Sequence, residues 1–202
     1  RGDWTSRRPR LAPGGWAFQY ANEFYPDVDD TAAVGLALHR ADPERYRPVL
    51  ERTARWIIGM QSRSGGWGAF DADNTHYFLN AIPFADHGAL LDPPTADVTA
   101  RCVSFLAQIG TPPSHPSIAR GVAFLESEQE KDGSWFGRWG VNYIYGTWSV
   151  LAALNAAGYR VALMPPTNPA PRAATSAGET RAPRSSGPPA GNQPPEGPVC
   201  TR

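Results

Sequence analysis

Cysteine is almost missing from these 202 residues: there are two, Cys102 and Cys200, far apart and in unlike surroundings. That excludes a disulfide framework and a zinc signature, and it suits a reducing compartment. An excess of either charge is also missing. Lys plus Arg equals Asp plus Glu at 19 each, so there is no basic footprint for nucleic acid. No apolar run reaches the roughly 18 residues of a membrane span. Strand-like alternation and a phosphate-cradling glycine loop are absent. His76, His87 and His115 lack metal-ligand spacing, and Asp71-Ala72-Asp73-Asn74 lacks the later residues of a calcium loop, with Ile82 where its Glu would stand. There is no signal peptide and no initiator Met, and the start Arg-Gly-Asp-Trp reads as cut from a longer chain.

Aromatic residues are plentiful, 11% of the chain with seven Trp. Proline is plentiful too, at 21, but unevenly spread. The composition changes near Gly158. We divide the chain into a body, 1–158, and a Pro/Gly/Ala-rich tail, 159–202. The tail has too few large apolar residues to offset its ordering entropy and is expected to be disordered.

The body repeats itself. Arg52, Trp56, Ile57, Gln61, Gly65 and Trp67 recur as Arg120, Phe124, Leu125, Gln129, Gly133 and Trp135, with identical internal spacing. A third ending, Gly14-Gly15-Trp16, stands upstream without its helix. Amphipathic helices are predicted over 48–61, with Val49, Thr53, Trp56, Ile57 and Met60 on one face, and over 96–109 and 117–129. Residues 30–40 and 146–157 are apolar nearly all round, as buried inner helices are. Alternating outer and inner helices predict an all-α fold, an incomplete α/α toroid. Gln and Trp at each corner would tie neighbouring helices together, since Gln can donate and accept while Trp offers a flat face and one N–H.

One stretch does not fit a purely architectural reading. In NEFYPDVDDT, Asp27, Asp29 and Asp30 follow Phe24, Tyr25 and Pro26, just before an apolar helical run. Three neighbouring carboxylates are either a solvated helix cap or a group in which one acid is kept protonated. Such a set titrates together, and a helix N-terminus after Asp30 would favour its charged form.

The Gln…Gly-x-Trp repeats and the Asp-x-Asp-Asp segment together resemble the class II triterpene cyclases. The stretches PGGWAFQYANEFYPDVDDTA, GMQSRSGGWGAFDADNT, IPFADHGALLDPPTADVTAR and DGSWFGRWGVNYIYGT resemble the squalene–hopene cyclase family in particular, over residues 2–158. The resemblance implies a monotopic membrane enzyme of two α/α domains on the cytoplasmic side, with homodimer formation open. It implies squalene or a similar apolar prenyl substrate, cyclised to hopene or hopanol, and no cofactor or metal. Asp29 would be the proton donor, with Asp27 and Asp30 holding its geometry and charge. Phe18, Phe70, Trp139 and Tyr145 would line the cavity and steady cations through their ring faces.

Asp92 and Asp97 would stand behind the acid, Asp97 paired with the basic residue four positions on. That residue is His in some members and Arg101 here, so a histidine proton relay does not carry over. A cyclase acting on a prenyl diphosphate would need basic residues near the acids, and none is obvious; a non-catalytic toroid piece would leave acids and aromatics unexplained. Read as a middle portion of such an enzyme, the segment alone is expected to be inactive.

Overall fold

The structure, a computed structural model, describes residues 2–82, 91–140 and 142–159. The expectations about Cys200, His87 and the tail beyond Tyr159 lie outside these residues.

Five helices carry the fold: α1 (Val28–Ala41), α2 (Arg47–Met60), α3 (Ala96–Gln108), α4 (Pro116–Ser127) and α5 (Asn142–Ala156). Each start has a local cause. Asp27 is extended and its carboxylate accepts the Asp30 N–H, an N-cap for α1. The helix therefore begins two residues before the expected residue 30, and Asp29 lies within its first turn instead of ahead of it. Pro48 and Pro116 occupy first-turn positions of α2 and α4, where the missing N–H costs nothing. Two short strands, β1 (Trp16–Ala17) and β2 (Pro26–Asp27), pair antiparallel and deliver the chain to α1. Alternation over two residues is too short to leave a signal in the sequence.

Helix α3 packs against both α1 and α5, forming an inner row; α2 lies outside against α1, and α4 outside against α3. This two-layer arrangement is the arc of an α/α toroid. Helix α3 departs from its expected amphipathic character. Nine of its thirteen residues are buried, Asp97 and Thr99 among them. Its polar groups are satisfied by bonds from distant loops, so it sits inside without needing an apolar sequence all round. On α2 the buried face is Leu50, Thr53, Trp56, Ile57 and Met60, one position away from the expected Val49. The core holds Trp56, Trp67, Trp135 and Phe105 fully buried. Large apolar side chains contribute about 1.5–3 kcal/mol each when so buried.

The repeated corners are built alike. Gln61 donates from Nε2 to the carbonyls of Gly65 (2.7 Å) and Ser117 (2.9 Å), and its Oε1 accepts from Arg120. One side chain thus joins the end of α2 to the first turns of α4. The Trp67 indole N–H bonds Ile57 O at 2.7 Å, and Trp135 repeats this on Leu125 O at 2.6 Å. Gly65 has φ +98° and its Cα hydrogen faces the Arg120 backbone, where a Cβ would lie 2.5 Å from the carbonyl oxygen. Only glycine satisfies both conditions. Gln129 repeats the local bond to Gly133 O at 3.0 Å but is half-buried. Arg8 adds a link the sequence did not suggest. Its guanidinium binds Gly59 O (2.8 Å) and Gln61 O (2.9 Å) at the C-terminus of α2, and Asp73 at 3.1 Å. A cation there complements the helix dipole.

Gln61→Ala leaves two buried carbonyls and a guanidinium short of partners, and is expected to cost about 2–4 kcal/mol. Gln129→Ala, losing one bond at a wetter corner, is expected to cost about 1 kcal/mol or less. Chemical denaturation of both variants checks the order; equal losses would remove the helix-tying role from Gln61.

Candidate functional site

The acid turn is fixed from three directions. The β pair holds Asp27 opposite Trp16, the Val28 N–H donates to Ala69 O at 2.7 Å, and Thr31 Oγ1 accepts the Trp16 N–H at 2.8 Å. Asp27 is buried; Asp29 and Asp30 are half-buried. Burial pushes the Asp27 carboxyl up from its ordinary 3.8 to about 6, against the bond from the Asp30 N–H and with help from the charges of Asp30 and Asp29. Burial also raises Asp29, opposed by the charge and hydrogen bond of Arg101 and aided by Asp30 and Asp97. Desolvation therefore outweighs the ion pair.

Arg101 departs from its expected partner. Its Nε donates to Asp29 Oδ1 at 3.0 Å, across from α3 to α1, and its Nη2 donates to the Tyr145 hydroxyl oxygen at 2.9 Å on α5. Asp97 instead accepts from its neighbour Val98 N–H (3.0 Å) and from the Trp139 N–H at 2.8 Å. The i,i+4 pairing of Asp97 with Arg101 is thus replaced by two long-range contacts. The guanidinium is long enough to reach the next helix, where Asp29 is being desolvated and gains most from a cation.

Asp92 also differs from its expected role behind the acid. Its carboxylate accepts three backbone N–H groups, Ala69 (3.0 Å), Phe70 (2.6 Å) and Asp71 (2.7 Å). It is a loop clamp. It holds Ala69, whose carbonyl receives Val28, and it holds Phe70. Burial raises the Asp92 carboxyl in spite of these bonds.

Most of the expected aromatic residues gather in one place. Phe18, Tyr25 and Phe70 line one cleft of about 280 Å³. Phe70 meets Trp139 edge to face, with ring centroids 6.3 Å apart. Phe18 is 74% exposed and Trp139 52%, so both present faces to open space. Tyr25 shares this cleft but was not picked out from the sequence, although it stands two residues before Asp27. Gly140 was missed as well. A Cβ there would lie 2.1 Å from the Tyr145 ring, so only glycine lets the backbone pass. Arg138, likewise missed, lies over the Trp139 ring at 5.3 Å and bonds Leu91 O at 2.9 Å. Trp16, Gln61, Trp67, Gln129 and Trp135 stay in the corners, and Cys102 is core. Among the described residues no group of three His, Cys, Asp or Glu is placed to hold a metal ion.

Asp92→Ala leaves three N–H groups without their acceptor, and is expected to lower stability by about 2–4 kcal/mol. It should also loosen the Phe70–Trp139 contact, read as a change in Trp emission before unfolding. A variant as stable as the parent would show that the 69–71 loop does not rely on this carboxylate.

The sequence has known relatives. Residues 1–169 match the family model described as the squalene-hopene cyclase C-terminal domain. The chain is 64% identical over 157 residues to a squalene-hopene cyclase of Schizosaccharomyces japonicus, covering 78% of this chain and 24% of that protein. It is 61% identical to a squalene–hopene cyclase of Zymomonas mobilis, covering 78% of this chain and 25% of that protein. It is 52% identical to one of Alicyclobacillus acidocaldarius, with the same two coverages. The chain thus spans about a quarter of the length of the curated relatives it matches. With a model matched over most of its residues, the chain belongs to the squalene-hopene cyclase C-terminal domain family.

Proposed function

We propose that the enzyme to which this segment belongs protonates squalene and cyclises it to hopene or hopanol through carbocations. The observation that carries this reading is Asp29: a desolvated carboxyl with a raised pKa, bound to Arg101, whose side chain lines a cleft between α1, α3 and α5. The names of the relatives support the substrate.

An alkene is a very weak base, so its protonation needs an acid that is strong when it reacts and still protonated beforehand. Burial holds the proton on Asp29. Arg101 stabilises the carboxylate left behind. As the O–H bond breaks, a C–H bond forms at the terminal alkene and the positive charge passes into the chain. Phe70, Trp139, Phe18 and Tyr25 then offer ring faces, each worth about 0.5–2 kcal/mol to a desolvated cation. Loss of a proton ends the sequence at hopene; capture of water followed by loss of a proton ends it at hopanol. Excluding water until that point prevents early quenching.

Asp27 and Asp30 repel a charge on Asp29, and Asp27 also caps the helix that presents it. No helix among the described residues is long and apolar enough to cross a membrane. The substrate's insolubility and the exposed Tyr20, Phe24 and Phe78 favour an enzyme seated on one face of a bilayer.

The full-length enzyme carrying this segment, fed squalene and analysed by gas chromatography–mass spectrometry, is expected to yield hopene or hopanol. Asp29→Asn is expected to lose turnover by at least about a hundredfold. Product undiminished in that variant would return the three carboxylates to a helix cap.

A second outcome concerns Asp27. With its folded pKa raised to about 6 from 3.8, it contributes stability fully below about pH 4, and this is lost as pH rises through about 6. Asp27→Asn keeps an acceptor for the Asp30 N–H but carries no charge. It should therefore be more stable than the parent above pH 6, by on the order of 1–3 kcal/mol, and equal to it below pH 4. Thermal melts across this range decide it; a destabilised variant at pH 7 would mean the cap needs the charge.

A further inference from the structure

One hydroxyl–backbone contact occurs three times. Thr31 Oγ1 accepts the Trp16 N–H at 2.8 Å, Thr99 Oγ1 accepts the Trp67 N–H at 3.0 Å, and Thr147 Oγ1 accepts the Trp135 N–H at 3.0 Å. Each threonine lies near the start of an inner helix, and each tryptophan ends the corner before it. The sequence separations differ, at 15, 32 and 12 residues, so the contact is not a product of local spacing.

Counting from each threonine exposes a shared register. Two residues before it stand Asp29, Asp97 and Tyr145, all polar residues of the acid centre. Two residues after it stand Ala33, Arg101 and Ser149; five after it stand Leu36, Ser104 and Ala152. These last six line a single cleft of about 310 Å³ between α1, α3 and α5. Positions two residues from the threonine are turned about 200° from it around the helix. The clasp therefore grips each inner helix on its outer side and sets which residues face the common interior.

We propose that Thr99 is a positioning residue for the acid: its clasp on the Trp67 backbone holds α3 at the rotation that lays Arg101 on Asp29. This deepens the cyclase reading and rests on it. Thr99 is fully buried, and its hydroxyl is engaged by the Trp67 backbone and not by a site residue. Arg101 is held at its far end by Tyr145, whose own helix carries the matching clasp at Thr147. A small rotation of α3 moves a side chain as long as arginine by several times the displacement of the backbone, so the 3.0 Å contact with Asp29 is what the clasp protects.

The test uses the full-length enzyme with Thr99→Val, Thr99→Ser and, as a control, Thr53→Val. Thr53 is a fully buried threonine on the outer helix α2 whose hydroxyl has no partner. Thr99→Val is expected to lower kcat about tenfold to a hundredfold, with KM for squalene little changed. It should also move the alkaline limb of the pH–rate profile upward, because a displaced Arg101 no longer favours the Asp29 carboxylate. The other groups around Asp29, namely Asp27, Asp30, Asp97, Cys102 and Tyr145, are the same in all variants. Thr99→Ser should restore both properties, and Thr53→Val should alter neither.

A pH profile that superimposes on the parent's, or a serine variant no better than valine, would overturn the proposal and leave Thr99 as packing. Absence of product from the unsubstituted enzyme would count against the squalene reading alone. A crystal structure of Thr99→Val would then decide the clasp: Arg101 still 3 Å from Asp29 refutes it, and Arg101 swung away upholds it.

Discussion

The contact between Asp29 and Arg101 sets the terms for everything around it. Two opposite charges that are each about three-quarters covered attract strongly only at close range and in good alignment. Water withdrawn from the carboxylate raises its pKa; the guanidinium lowers it. The balance falls on the side of burial, so the acid keeps a raised pKa while its conjugate base has a partner waiting. That combination depends on position. An arginine slightly farther away leaves an unpaired buried acid, and a more solvated site leaves an ordinary carboxylate. The helices, corners and clamps of this segment are the means by which two side chains 72 residues apart are held 3.0 Å from each other.

Much of that holding is done by backbone N–H groups and polar side chains. Asp92 gathers three N–H groups from the 69–71 loop, and this loop in turn receives Val28 at the head of α1. Asp97 takes the Trp139 N–H and so draws the 137–140 loop against α3. Gly140 then passes beneath Tyr145, whose hydroxyl holds the far side of Arg101. Asp92, Asp97 and Thr99 are each buried and each bonded by backbone N–H groups from a distant loop. A toroid assembled only by apolar packing could slide by a fraction of a turn at little cost; hydrogen bonds across repeats remove that freedom.

The parts legible in the sequence are those whose cause is local or periodic. Six residues at fixed spacing reveal the corners, and Pro48 and Pro116 mark helix starts. The three acids stand out because carboxylates rarely crowd before an apolar run. The pairings were not legible, because their cause is tertiary. Asp97 and Arg101 are four apart on a helix, which is the separation of a local ion pair, yet each is claimed by a residue more than forty positions away. The inner placement of α3 was hidden for the same reason. Asp97 and Thr99 make its sequence look half-exposed until the loops that satisfy them are in view. Tyr25 and Gly140 were passed over because neither residue type is unusual until its neighbour is known.

Arginine at position 101, instead of a histidine, decides how the acid is governed. A histidine loses its charge between about pH 5 and 8 and would alter the pKa of its neighbour as it did so. Arginine keeps its charge throughout. With Arg101 held by Tyr145 and by Asp29 itself, its pull on the acid is constant, and burial and the neighbouring carboxylates are what can still vary. Asp29 retains 28% of its side-chain exposure here. Whatever covers that remainder, whether substrate or neighbouring structure, raises the pKa further and excludes the water that would compete for the proton. On the proposed reading, an apolar chain laid against Asp29 would therefore make the acid hold its proton more firmly. Binding and protonation would then be coupled through desolvation, with no titrating histidine required.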